Sequence, residues 1–177
     1  MVYQPIFTEP RRQSEPSRTL SDADFACPIE DRYFEDYTQG AVYEYGYYEV
    51  EEAEVVDFAR RFDPQSFHID PDAAANSQFG GLIASGWHVG GMMMRLFADH
   101  YLTKVASLAS PGLDELRWSA PVRPGDRLKL RTTIVETRLS QSKPDRGLVR
   151  TKAELINQEG AVPAMFVAVN FVARRPV

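Results

Sequence analysis

The chain has 177 residues, of which 44% are hydrophobic and 25% are charged, and its formal net charge is -5. This length and composition are typical of one globular domain with its own core. The basic residues are scattered along an acidic chain, which argues against a nucleic-acid-binding protein. No run of 18 apolar residues occurs, so we expect no membrane span.

Cysteine usage and the first residues predict the compartment. Cys27 is the single cysteine of the sequence, so an intrachain disulfide is impossible and an oxidising compartment is not implied. No histidine lies near Cys27 in the sequence, and we interpret it as a spare thiol rather than a nucleophile. Residues 1–16 lack the apolar core of a secretory signal, so we expect a cytoplasmic protein.

The N-terminal residues differ in character from the rest of the chain. Residues 1–28 are polar, contain four prolines and follow neither a helical nor a strand period, which predicts an extended or partly disordered arm. Residues 29–177 are predicted to form a single domain. Its first strand is expected over residues 42–48, where tyrosine and valine are frequent, after a loop at residues 33–40.

A short helix is predicted from Glu51 to Phe62. Apolar residues recur at helical spacing there, and glutamates fill the first turn, where they complement the helix dipole. Pro64 disfavours helical geometry in the residue before it, so the helix should stop near Asp63. Asp63 is therefore expected where a helix runs out into a loop.

Two more helices are predicted farther along. One covers residues 71–76, with Asp70 as its cap and Pro71 in its first turn. The other covers residues 83–102 and is apolar around most of its circumference, which indicates burial on most sides.

The second half of the chain is rich in strand signals separated by turns. Strands are expected over four segments: 113–118, 128–134, 148–156 and 164–173. Consecutive strands with short connections favour an antiparallel sheet, and one long apolar helix packed on such a sheet gives an α+β architecture.

Asp63 and His68 are the candidate acid/base residues. They lie five positions apart in a segment bounded by Pro64 and Pro71, and general acid/base catalysis needs two such groups to reach one water. The alternative is that Asp63 caps a turn while His68 binds a backbone carbonyl. The spacing alone leaves both interpretations open.

Gly86 is the candidate oxyanion donor, because N–H groups at the start of a helix are preorganised for negative charge. Ser85, Trp87 and Phe67 lie beside the three candidates and are the expected substrate-binding residues. Of the two other histidines, His88 either faces this site or packs, and His100 is expected to be a helix C-terminal residue. With three histidines and no cysteine pair, no metal site is expected.

These segments together resemble the MaoC-like dehydratase family, which includes the (R)-specific enoyl-CoA hydratases. The resemblance spans about residues 30–173 and is carried by four segments: 58–63, 68–71, 79–86 and 121–126. The family motif D-x-N-P-x-H stands here as Asp63 to His68, with Gln65 and Ser66 at the Asn and Pro positions. Ser85 occupies the position of the family's histidine before the oxyanion glycine.

The resemblance implies a hot-dog fold, in which a curled antiparallel sheet wraps around one long central helix, and a homodimer or higher homo-oligomer. It also implies an acyl-CoA thioester substrate from fatty acid metabolism and no prosthetic cofactor. In the implied reaction, Asp63 and His68 activate a water that adds to a trans-2-enoyl thioester, or the reverse dehydration occurs. The Gly86 N–H would stabilise the thioester oxygen.

Two other functions fit the same fold. A hot-dog thioesterase generally carries a carboxylate on the long helix, and Asp99 lies too near the far end of that helix to serve. A non-catalytic acyl-binding module would have no need to retain both Asp63 and His68.

Overall fold

A computed structural model of the chain describes Phe25 and residues 27–176. The helices are α1 (Glu52–Phe62), α2 (Ser66–Ile69), α3 (Pro71–Ala75) and α4 (Gly86–His100), with a 3-10 turn at Phe34–Asp36. The strands are β1 (Val42–Glu49), β2 (Ser107–Trp118), β3 (Arg127–Leu139), β4 (Arg146–Ile156) and β5 (Ala164–Ala173). Most of the predicted arm over residues 1–28 lies outside the described residues.

The strands form one five-stranded sheet in the order β1-β3-β4-β5-β2. Every neighbouring pair is antiparallel, as predicted. The order is not sequential at one edge, because β2 pairs with β5 and is separated from β3 by two strands. The segment that joins β2 to β3 therefore crosses past the positions of β5 and β4. The two edge strands of the sheet are β1 and β2.

The edge strand β2 is longer than predicted. It begins at Ser107 rather than Leu113 and runs through Pro111 and Gly112, which were expected to precede the strand. Its register with β5 shifts on both sides of this pair, between Ala109 and Gly112 and again after Leu113. An edge strand tolerates proline because one side of it has no ladder partner. Strand β3 likewise continues to Leu139, beyond its predicted end at Ile134.

Helix α4 packs against the inner face of the sheet. Val89, Met93 and Leu96 are 4% exposed or less and lie in one core cluster with residues of β1, β3 and β5. The helix begins at Gly86, later than the predicted Ile83, because the Ser85 hydroxyl accepts a hydrogen bond from the Trp87 N–H at 3.3 Å and caps the first turn. The curled sheet around this helix is the predicted α+β architecture.

Phe25, which falls within the predicted arm, packs in the core. Its ring stacks on Tyr43 with 4.1 Å between centroids, and the Arg32 guanidinium lies 3.4 Å from its centroid on another face. Within the described residues, no helix is long and apolar enough to cross a membrane.

Candidate active site

Asp63 lies where α1 ends. Its N–H donates to the Ala59 carbonyl at 2.8 Å, and its backbone then leaves helical geometry. Pro64 follows and prevents another turn, so the predicted end of this helix is confirmed. The side chain of Asp63 can therefore face the loop that follows rather than the helix.

His68 reaches the same place through α2, a four-residue helix where the sequence predicted a loop. The residue is buried, at 4% exposure, and its Nδ1 lies 2.8 Å from the Ile83 carbonyl oxygen. A carbonyl can only accept, so Nδ1 carries a hydrogen and donates it, which leaves Nε2 on the opposite side of the ring. Nε2 lies 3.4 Å from Oδ2 of Asp63.

Two side chains hold Asp63 in place. The Ser85 hydroxyl donates to Oδ2 at 2.7 Å, and the Gln65 amide donates to Oδ1 at 2.7 Å. Burial by itself raises the pKa of Asp63, but these two hydrogen bonds and the charge that His68 can carry outweigh it, so the pKa lies below its usual value. Asp63 is therefore a carboxylate at neutral pH.

The two interpretations of the Asp63/His68 spacing turn out to be compatible. His68 does bind a backbone carbonyl, through Nδ1, and it also faces Asp63 through Nε2. A separation of 3.4 Å is longer than a good hydrogen bond, and it leaves both atoms able to contact one water molecule. The geometry thus places an imidazole nitrogen and a carboxylate oxygen where both face one position.

Gly86 is the first residue of α4, where the helix leaves N–H donors without intrahelical acceptors. A Cβ built on Gly86 would lie 2.7 Å from the ring of Trp118. The indole of Trp118 thus fills the space that a larger side chain would need. Glycine is required here by this close approach as well as by any need to admit a substrate oxygen.

The three expected substrate-binding residues lie in different surroundings. Ser85 is fully buried with its hydroxyl on Asp63, and Phe67 is half-buried against the His68 ring at 4.5 Å between centroids. Trp87 is 65% exposed and meets Trp118 edge to face at 5.4 Å. Of the three, Trp87 alone presents a large free surface beside Gly86.

Sequence reasoning missed the residues that fix the loop before α4. The Arg123 guanidinium donates to the carbonyls of Phe79 and Leu82, at 2.5 and 3.4 Å. The Ala84 N–H donates to the Val122 carbonyl at 2.8 Å. These contacts hold the chain on either side of Ile83, whose carbonyl orients His68. The segment 121–126 was part of the family resemblance, but nothing in its pattern assigned Arg123 this task.

The remaining histidines pack away from Asp63. His88 stacks on Phe58 at 4.7 Å, with Nε2 3.4 Å from a Glu54 carboxylate oxygen, and His100 stacks on Tyr45 at the end of α4. Across Phe25 and residues 27–176, no three His, Cys, Asp or Glu side chains gather as metal ligands.

Comparison with known proteins identifies the family. Residues 34–157 match the family model described as MaoC like domain. The chain belongs to the MaoC-like family. This MaoC-like protein is 28% identical over 126 residues to the uncharacterized protein YdeM of Bacillus subtilis, an alignment covering 71% of this chain and 87% of YdeM.

A second curated relative has a named activity. The MaoC-like chain is 36% identical over 74 residues to the 3-hydroxyacyl-thioester dehydratase Z of Mycobacterium tuberculosis. That alignment covers 41% of this chain and 49% of the dehydratase, so it spans about half of that relative.

Solved structures agree with the family and give the fold. A MaoC-like dehydratase from Rhodospirillum rubrum superposes with a TM-score of 0.75 at 38% identity, over 82% of this chain and 99% of that one. The (R)-hydratase PhaJ1 from Pseudomonas aeruginosa gives 0.64 at 25% identity, over 81% and 86%. A double-hotdog protein from Mycobacterium tuberculosis gives 0.73 at 18% identity, over 85% and 46%, and shows the fold alone. The MaoC-like chain therefore has the hot-dog fold.

Proposed function

We propose that this MaoC-like protein is a hydro-lyase that adds water across the 2,3 double bond of a trans-2-enoyl-CoA, or removes it from a 3-hydroxyacyl-CoA. The observation that carries the proposal is the placement of His68 Nε2 and Asp63 Oδ2, 3.4 Å apart beside the first turn of α4. Support comes from the dehydratase and hydratase relatives.

The chemistry follows from the roles of the two side chains. His68 removes a proton from the bound water at Nε2, and the Asp63 carboxylate stabilises the imidazolium that forms. The hydroxide oxygen bonds to Cβ, the electron pair of the double bond moves through Cα, and negative charge develops on the thioester oxygen. The Gly86 N–H stabilises that charge. His68 then returns the proton to Cα, so the net change is addition of one water.

A thioesterase is less well supported by α4 itself. Asp99 is the one carboxylate on this helix, and it lies at the far end, paired with Arg95 at 2.7 Å. It has no contact with Asp63, His68 or Gly86 among the described residues.

Incubation with crotonyl-CoA tests the proposal. Hydration removes the enoyl absorbance without releasing thiol, whereas a thioesterase releases free coenzyme A and a non-catalytic module does neither. Loss of the enoyl absorbance is the expected result. If free coenzyme A is released as fast as the enoyl absorbance disappears, the proposal is wrong. It is also wrong if the protein reacts with no enoyl thioester.

Replacing Ser85 should change the pH dependence of the reaction. In Ser85→Ala, Asp63 loses a hydrogen bond that lowers its pKa, so the pKa rises. The rate requires ionised Asp63, and the acid limb of kcat/KM should therefore move to higher pH. Profiles between about pH 4 and pH 8 measure this. Ser140→Ala, in the loop between β3 and β4, is the matched control, and an unmoved acid limb would contradict the assignment.

We also propose that a second copy of the chain covers the β2 edge. The first eight residues of β2 are exposed, including Leu113 at 49% exposure, and Trp87 and Trp118 beside them are 65% and 39% exposed. A long edge strand with exposed apolar side chains invites strand pairing. A homodimer joined through β2 would extend the sheet and shield these residues.

Light scattering of the purified protein should accordingly give at least a dimer at micromolar concentration. Leu113→Asp places a charge on the paired edge and should shift the population towards monomer, because a buried unpaired carboxylate is costly. The control is Leu139→Asp, at the end of β3, where the side chain is 52% exposed and away from β2. A monomeric wild-type protein would contradict the proposal.

A further inference from the structure

A cavity of about 270 Å³ lies between α4 and the strands β2 and β5. Most of its walls are apolar, formed by Trp87, Met94, Phe97, Leu113, Leu116 and Phe166. Ser110 also lines it, but that hydroxyl is engaged with the backbone of Gly112, donating to its carbonyl at 3.1 Å and accepting from its N–H at 3.2 Å. No lysine or arginine is among the lining residues.

Asn170 is the exception in this lining. It belongs to the inward-facing set of β5, whose residues alternate between buried and half-buried, and it is 8% exposed. Its Nδ2 is buried without a hydrogen-bond partner among the described residues. A buried amide without a partner costs free energy, which a hydrophobic residue at this position would avoid.

The cavity reaches the start of α4, although Asp63, His68 and Gly86 are not among its lining residues. Trp87 lines it and directly follows Gly86, so it begins at the first turn of α4. A thioester whose oxygen lies at the Gly86 N–H would send its acyl chain along this face of the helix. This step rests on the proposed function.

We propose that Asn170 binds a neutral hydrogen-bonding group, a hydroxyl or a carbonyl, carried by the acyl chain of the substrate beyond its double bond. An amide can offer a donor or an acceptor after a half-turn of its plane, so it matches either group. A carboxylate is disfavoured, because burying that charge without a cation is expensive. The volume corresponds to about nine water molecules, which is room for the part of an acyl chain that lies beyond its double bond.

The test compares trans-2-octenoyl-CoA with the same thioester carrying one hydroxyl, at C6, C7 or C8 in turn. The wild-type protein should favour at least one hydroxylated substrate by about tenfold in kcat/KM. Asn170→Leu keeps the size but removes the hydrogen bond, so this preference should vanish while the melting temperature stays level or rises. Asn170→Val serves as a second variant in case leucine does not fit. Ser110→Ala changes the same cavity and should keep the preference.

The outcomes separate the two proposals. Asn170 has no such role if the wild-type protein has the same kcat/KM for the plain and the hydroxylated thioesters. The same conclusion follows if each Asn170 variant lowers kcat/KM for both kinds of thioester by the same factor. In either case the hydratase function is unaffected. If no thioester is hydrated by the wild type, both the inference and the proposed function are overturned.

Discussion

Asp63→Asn and His68→Gln should each lower the hydration rate by about 10²–10⁴-fold while the protein stays folded. Asparagine keeps the size of Asp63 but loses the charge that stabilises the imidazolium. Its amide nitrogen also replaces one of the two oxygens that accept hydrogen bonds from Ser85 and Gln65. Glutamine at position 68 cannot take up the proton of the water.

The measurement is kcat/KM on crotonyl-CoA together with the melting temperature. Matched controls are Asp72→Asn, an exposed carboxylate on α3, and His100→Gln at the end of α4. Both controls should keep the wild-type rate. The double variant at 63 and 68 should lose little beyond the worse single, because residues that act as a unit are not additive. Near-normal turnover in either single variant would remove that residue from the mechanism.

Gly86→Val should suppress turnover strongly and also lower the melting temperature. A Cβ at this position would lie 2.7 Å from the Trp118 ring, so either the indole or the first turn of α4 must shift. A shift of the turn moves the N–H donor away from the thioester oxygen, and losing one such donor costs about 10²–10³-fold in kcat. The loss of stability is a separate effect of the same clash.

A second substitution, at Trp118, separates the effect on the rate from the effect on stability. Trp118→Leu makes room beside position 86, so Gly86→Ala combined with Trp118→Leu should recover the melting temperature lost in Gly86→Ala alone. If the rate stays low when stability returns, the Cβ itself obstructs the approach of the thioester oxygen to the N–H of residue 86, which supports the donor role. If rate and stability return together, the loss in Gly86→Ala came from the clash with Trp118 alone. Gly91→Ala is the control within α4, since a Cβ there has nothing within 4 Å.

The parts of the fold that depend on neighbouring residues could be predicted from the sequence. The end of α1 before Pro64 and the capping of α3 by Asp70, whose carboxylate accepts from the N–H groups of Asp72 and Ala73 at 3.0 and 3.1 Å, follow from local chemistry. The pairing of β2 with β5 could not be predicted, because it joins strands far apart in the sequence. The start of β2 before Pro111 could not be predicted either, because a strand tolerates proline only where it lies at an edge of the sheet, and the sequence does not show which strand that is.

The candidate site divides in the same way. Asp63 and His68 are close in the sequence, so their spacing was sufficient to suggest a pair. The partners that orient them, Ser85 and the Ile83 carbonyl, come from a segment that meets them only in the folded chain. A main-chain carbonyl has no residue type to recognise, and the need for glycine at position 86 depends on Trp118, thirty-two positions away.

The position of β5 has a consequence for how the domain is divided. The residues that match the MaoC-like domain end at 157, before β5 begins at Ala164. Yet β5 is hydrogen-bonded on both sides, to β4 and to β2. A fragment cut at the borders of the match would leave β2 with no neighbour in the sheet and α4 with part of its supporting wall missing. The complete sheet therefore extends beyond the region by which the family is recognised.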